Sequence, residues 1–283
     1  MVPALLKWIG NKQRFAAMIV SHMPDTFHDY YEPFLGSGAV MAELLSQDAR
    51  RPLPRFGRAY GSDILPFLID IFQIVKDRPD ALSDYYAEEI SAYYGDPDGQ
   101  YLRIRDRFNQ DHNAFDFCLL SRTCYSGVIR FRRADGYMST PRGPHRPIAP
   151  ETFRRRVSLW SDLLRRADFR TESFETAMNR AQPGDVVYCD PPYPNSQSII
   201  YGAQEFDLGQ LWNSVAACRG RGVFVMLSIS GTGTGGQAPV EIPAGLFERE
   251  VPVNCGISMI DRLRSADRGT PGEMVRDRLL LTW

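Results

Sequence analysis

Val186-Val187-Tyr188-Cys189 is a continuous apolar run that stops at Asp190-Pro191-Pro192-Tyr193. A short run of this kind, opened by Gly184-Asp185, reads as a buried strand. The two prolines end it, because proline has no N–H to give to a ladder. The chain therefore delivers a carboxylate, two stiff carbonyls and an aromatic ring to the C-terminal edge of a sheet. In open α/β sheets that edge is where ligands bind. A carboxylate and a carbonyl can hold an amino group between them, and a ring can stack on a flat base. The same four residues also suit a plain strand end with a proline turn and a packed tyrosine, since the motif is short.

The rest of the chain supplies the sheet around this strand. Tyr30 to Phe34 reads as a strand entering a turn at Leu35-Gly36-Ser37-Gly38, and Ala39 to Leu45 as the start of a helix. Arg58 to Asp63 reads as a second strand and Pro66 to Val75 as a helix. Asn11 to His22 has helical spacing. Tyr85 to Asn109 is helical in pattern but broken near Gly95-Asp96-Pro97, and Phe115 to Cys124 and Thr152 to Arg166 are further helices. Gly127 to Pro150 is rich in Gly, Pro and Arg and reads as a long loop or small hairpin. Asp168 to Thr171 is a short strand, Phe174 to Ala181 and Leu208 to Arg219 are helices, and Val223 to Ser228 is a buried strand. Pro252 to Ile260 and Val275 to Thr282 form a final strand pair. Strands alternating with helices predict a mostly parallel sheet covered on both faces, with a helical insertion in its middle.

Charge is uneven along the chain. The net charge is −1, yet residues 101–170 hold 15 arginines and no lysine against 7 acidic residues. A basic middle points to a polyanion such as nucleic acid, although Arg154-Arg155-Arg156 and Arg165-Arg166 also fit a solvated helix face. No run approaches the roughly 18 apolar residues of a membrane span, and the opening residues do not have signal-peptide form. Five cysteines without a C-x-x-C pair fit a reduced, cytoplasmic protein. The four histidines show no metal-ligand spacing, so no metal is expected.

Glu32-Pro33-Phe34-Leu35-Gly36-Ser37-Gly38 lies between a strand and a helix, where glycines permit a tight turn and close ligand approach. A dinucleotide fingerprint would need glycine at Met41, so NAD is disfavoured. Such a turn suits an adenosyl ligand that brings no phosphate. Asp63, 25 residues beyond Gly38, can accept from ribose hydroxyls or cap a helix. The cluster Gly231 to Gly236 lacks the Gly-Lys-Ser/Thr ending of a phosphate loop and reads as a flexible loop. Tyr201 and Phe206 suit either a pocket wall or the core.

Leu6-Lys7-Trp8-Ile9-Gly10-Asn11-Lys12, the Glu32 to Gly38 turn, Ser62-Asp63 and Asp190-Pro191-Pro192-Tyr193, in this order, resemble the Dam-type (D12 class, alpha-group) DNA adenine-N6 methyltransferases over nearly the whole chain. The resemblance implies a Rossmann-like S-adenosylmethionine-dependent α/β sheet, mostly parallel with an antiparallel final strand, plus a helical DNA-recognition insertion. It implies a discontinuous catalytic domain, 1–76 and 168–283, and a recognition domain, 77–167, with a basic loop 127–150. It assigns S-adenosyl-L-methionine to Trp8, Lys12, Glu32, Phe34, Gly36, Gly38, Asp63 and Asp190, and catalysis to Asp190, Pro191, Pro192 and Tyr193. Lys7, Arg122, Tyr125, Ser126, Val128, Arg130, Pro141 and Arg142 fall on positions that reach double-stranded DNA. Ser126 stands where the family often has Asn, Val128 where the GATC-specific members have Leu, and Asn11 where the opening motif has Gly. These departures bear on the target sequence more than on the reaction. The expected setting is a bacterial or phage-infected cytoplasm, with a monomer sufficient and a restriction endonuclease a compatible partner. Alternatives are cytosine-N4 methylation, methylation of RNA or a protein amide, and a catalytically silent DNA-binding relative.

Overall fold

The computed structural model describes residues 1–132, 134–192, 206–230, 240–257 and 274–283. Its centre is a seven-stranded sheet of order β3-β2-β1-β4-β5-β7-β6. The strands are β1 (Tyr30–Glu32), β2 (Ala59–Asp63), β3 (Ala167–Thr171), β4 (Val186–Cys189), β5 (Phe224–Ser230), β6 (Arg249–Ile257) and β7 (Met274–Leu281). The first five pair in parallel, with Tyr30 opposite both Ala59 and Val186. The last strand, β7, runs antiparallel to both of its neighbours, β5 and β6. This is the mostly parallel sheet that the alternation of strands and helices predicts, with the antiparallel final strand that the resemblance implies.

The two-residue period of a strand sorts side chains onto two faces. Tyr30, Val186, Tyr188 and Met226 face one core, with α1 (Ala16–Ser21), α2 (Ala39–Asp48) and α3 (Pro66–Asp77) over it. Tyr31, Val187, Cys189 and Leu227 face the other, under α8 (Phe174–Arg180) and α9 (Leu208–Gly220). All four residues of β4 are buried, which is why its sequence is apolar without alternation.

Between α3 and β3 come four helices, α4 (Pro79–Gly95), α5 (Pro97–Asp111), α6 (Ala114–Thr123) and α7 (Pro150–Leu163). Gly95-Asp96-Pro97 breaks the first pair as expected: Asp96 caps α5 by accepting from the Gly99 N–H at 2.9 Å, and Pro97 takes the first helical position. The helices share the larger core, where Phe67 packs on Phe108 and Phe117, and Phe72 on Trp160. The segment after α6 is a small hairpin-like excursion, with bridges Phe131 to Met138 and Cys124 to Arg142. Among the described residues, no helix is long and apolar enough to cross a membrane.

Among the described residues, seven of the fifteen arginines of residues 101–170 form ion pairs within the fold. Arg103, Arg107, Arg132, Arg142, Arg154, Arg165 and Arg166 each hold a carboxylate. Arg105, Arg130, Arg146, Arg155 and Arg170 form no ion pair among the described residues, and Arg130, Arg146, Arg155 and Arg170 are exposed. Arg133 lies outside those residues.

Candidate active site

The sheet order reverses between β1 and β4: the chain winds outward through β2 and β3, then returns to the other side of β1. At such a switch point the loops leaving the two strands diverge and open a crevice. A cavity of about 470 Å³ lies there, walled by the loops after β1, β2, β3 and β4 and by residues 8–12. That volume is in the range of small-ligand sites.

The loop after β1 is built on glycine. Gly36 (φ +47°) and Gly38 (φ +64°) both occupy left-handed backbone, and the Gly38 N–H closes the turn on the Leu35 carbonyl at 2.7 Å. A Cβ on Gly36 would stand 3.1 Å from the Trp8 indole nitrogen, and one on Gly38 would stand 3.0 Å from the Phe72 ring. Gly38→Ala should therefore cost about 1–3 kcal/mol of stability, read as a lower urea midpoint. An unchanged midpoint would refute this account of the turn.

Four carboxyl groups, those of Glu32, Asp63, Glu175 and Asp190, and the Lys12 ammonium line the cavity. Asp63, at the end of β2, accepts from the Gly36 N–H at 3.2 Å and the Leu65 N–H at 3.3 Å; burial pushes it up to about 6. It braces the glycine turn and does not act as the N-cap of α3, which is Leu65. Glu32, 3% exposed, accepts from the Tyr30 hydroxyl at 2.8 Å, and burial pushes its carboxyl up to about 8. Asp190 leaves β4 to meet the Lys12 ammonium at 2.8 Å. Burial raises its pKa, and the Lys12 charge opposes that rise. Pro191 and Pro192 follow it into the cavity wall. Tyr193, Tyr201 and the Gly231 to Gly236 loop lie outside the described residues.

Trp8, Lys12, Glu32, Phe34, Gly36, Asp63, Asp190, Pro191 and Pro192 thus line one cavity, with Gly38 just behind it. Sequence reasoning missed Ile64 and Phe174. Ile64 is 54% exposed at the cavity, and Phe174 stacks on Phe34 at 5.1 Å between centroids. Phe206 meets Phe34 edge-on at 5.9 Å, so it serves wall and core at once. Their signal was positional: each follows directly on a strand or its adjoining loop at the carboxyl edge.

The segments read as DNA contacts converge on a second surface. The Tyr125 N–H donates to the Pro141 carbonyl at 2.8 Å, and the Arg130 N–H to the Thr140 hydroxyl at 3.0 Å. Tyr125, Arg130 and Pro141 are exposed, and Ser126 takes a left-handed turn (φ +56°) beside them. Arg142 is held by Asp98 at 2.5 Å. Two residues depart from expectation. Val128 is only 6% exposed, because the turn folds it into the core. Arg122 aims its guanidinium at the Leu5 carbonyl and lies over the Phe153 ring, so it faces inward. Lys7 is partly buried where the Tyr125 to Gly127 turn packs on it.

The chain is similar to known proteins along most of its length. A family model described as the D12 class N6 adenine-specific DNA methyltransferase matches residues 8–213. A DNA adenine methylase of Escherichia coli (strain K12) is 32% identical over 260 residues, 88% of this chain and 78% of that protein. A DNA adenine methylase of Vibrio cholerae serotype O1 is 31% identical over 198 residues, 67% of this chain; the match spans 65% of that protein's own length. A type II methyltransferase of Lactococcus lactis subsp. cremoris is 28% identical, over 79% of this chain and 80% of that protein. With most of its length matched and its sheet, glycine turn and Asp190-Pro191-Pro192 strand end in one cavity, the chain belongs to the D12 class N6 adenine-specific DNA methyltransferase family.

Proposed function

We propose that this chain transfers the methyl group of S-adenosyl-L-methionine to the N6 amine of an adenine flipped out of duplex DNA. The observation that carries this reading is the cavity at the switch point. It sets Glu32, Asp63, Glu175 and Asp190 around the Lys12 ammonium, beside the Gly36 to Gly38 turn. Carboxyl groups in excess of cations suit a cationic adenosyl ligand, whose charge favours their ionised forms. When bound, S-adenosyl-L-methionine supplies an electrophilic methyl group on sulfur.

The residues then divide the work. Asp63 accepts from ribose hydroxyls, the Gly36 to Gly38 turn admits the ligand closely, and Trp8, Phe34 and Ile64 provide flat and apolar walls. Lys12 holds the Asp190 carboxylate in place. An adenine N6 amine is a weak nucleophile because its lone pair is delocalised into the ring. Hydrogen bonds from its two hydrogens to the Asp190 carboxylate and the Pro191 carbonyl favour a pyramidal nitrogen and free that pair. Orientation of this sort contributes up to about 7–11 kcal/mol. The proton leaves through Asp190 or to water. Base flipping is required because the amine is otherwise inside the stack, and Tyr193 supplies a ring for the extruded base, worth about 1–3 kcal/mol.

In the same reading, residues 1–76 with 168–283 form the catalytic unit, and 77–167 reads DNA. Tyr125, Ser126, Arg130 and Pro141 present the reading surface, with Lys7 at its margin. Arg142 joins once a phosphate displaces Asp98, since a solvent-exposed ion pair of that kind holds it only weakly. Ser126 stands where the family often has Asn, and buried Val128 where its GATC-specific members have Leu, so the target sequence does not carry over from the resemblance.

The test is transfer from methyl-labelled donor to duplex DNA followed by nucleoside analysis. The expected product is N6-methyladenine, and N4-methylcytosine or an unlabelled duplex would overturn the reading.

A further inference from the structure

We infer that residues 3–12 form a strap tying the donor cavity to the helical segment, and that Arg122 and Arg156 are positioning residues for methyl transfer. The inference rests on the function proposed above. Three donors from α6 and α7 seize three successive carbonyls. The Trp160 indole N–H donates to Pro3 at 2.8 Å, Arg156 to Ala4 at 2.9 Å, and Arg122 to Leu5. Leu5 and Leu6 are fully buried.

The strap then runs on through the functional surfaces in order. Gly127 (φ +70°), at the recognition turn, sits so close to Lys7 that a Cβ there would stand 3.0 Å from the Lys7 carbonyl. The Trp8 indole covers Gly36. Lys12 closes the path on Asp190 at 2.8 Å. Within ten residues the chain touches α7, α6, the recognition turn, the cofactor turn and the carboxylate.

Arg122 and Arg156 are partly buried and lie near each other, and neither forms an ion pair among the described residues. Burying neighbouring cations without a carboxylate is costly, so a gain in geometry must offset it. A guanidinium serves that end because its planar fork fixes direction as well as charge. Neither residue lines the cavity, so an effect on donor binding must travel through the strap.

The experiment compares Arg122→Met and Arg156→Met with Arg122→Lys. In ligand-free protein, hydrogen exchange at residues 5–12 should accelerate about tenfold or more in the Met variants while β4 and β5 stay protected. Affinity for S-adenosyl-L-homocysteine, measured by calorimetry, should fall about tenfold, while affinity for a non-specific duplex should stay within about threefold. Arg122→Lys should recover part of both effects, since an ammonium can still donate to Leu5. Unchanged exchange at 5–12 overturns the inference. So does a loss of duplex affinity exceeding the loss of S-adenosyl-L-homocysteine affinity, which would return Arg122 to the DNA surface. If Arg122→Met does not fold, Gly127→Ala presses on the same strap at Lys7 and should give the same acceleration of exchange at residues 5–12. Failure of the parent protein to bind S-adenosyl-L-homocysteine would overturn the proposed function; the exchange arm needs no ligand and then decides the strap alone.

Discussion

Asp190→Ala should lower the rate of methyl transfer by about a thousandfold or more, the upper part of the range for losing a group that handles the reacting proton. Duplex binding should survive, because the proposed reading surface around Tyr125 and Arg130 lies elsewhere. The substitution has a second, separable effect. It removes the 2.8 Å carboxylate partner of the Lys12 ammonium, which is 9% exposed and keeps the Gly10 carbonyl at 3.3 Å. Removing one member of a buried pair costs about 3–5 kcal/mol, so the variant should also melt early. Adding Lys12→Met should restore much of the stability and none of the activity. Steady-state transfer assays and thermal melts on the single and double variants check this. Substantial turnover by Asp190→Ala would sink the proposed role of Asp190, and activity restored by the double variant would show that its loss had been structural.

The second large effect is on pH. Burial raises the Glu32 carboxyl from near 4.5 to about 8, so the folded protein binds a proton there that the unfolded chain releases. The sign follows from linkage: the group costs nothing at pH below about 4.5, and stability falls as pH rises toward 8. A displacement of that size corresponds to about 4–5 kcal/mol between pH 4 and pH 9. Asp63, raised to about 6, adds a smaller loss of the same sign between its ordinary value and pH 6. Urea unfolding at pH 5, 7 and 9 should show this decline, and Glu32→Gln should flatten most of it; parallel curves for the two proteins would refute the assignment. A cationic ligand in the cavity favours the ionised carboxyls. Donor binding near pH 7 should therefore release protons, seen as a buffer-dependent heat that shrinks in Glu32→Gln.

Much of this was legible because prolines, glycines and strand period act locally. The Val186 strand and its stop, the Gly36-Ser37-Gly38 turn and the Gly95-Asp96-Pro97 break each follow from backbone chemistry a few residues long. The opening segment was harder. Asn11 to His22 has helical spacing, yet the helix begins at Ala16, because the Asn11 side chain accepts from the Gln13 N–H at 2.8 Å and Lys12 is drawn to Asp190. The arginines misled for a related reason. A sequence counts charges and does not display their partners, so Arg107 on Asp116 and Arg166 on Asp48 look like free surface charge. Arg122 fits a recognition motif while its guanidinium bonds a carbonyl 117 residues away. Phe174 and Ile64 acquire meaning only once the sheet order is known.

That sheet order also constrains how the protein is made. β1, at the middle of the finished sheet, pairs with β2 on one side from the start, but its other side waits for β4, more than 150 residues later. Until β4 emerges from the ribosome, Tyr30-Tyr31-Glu32 is an open strand edge flanked by apolar surface, a template for pairing with another chain. Its brevity, three residues, limits that hazard. The donor cavity therefore cannot exist before β4 inserts, and nascent chains cannot be rescued by ligand binding until synthesis has passed Asp190.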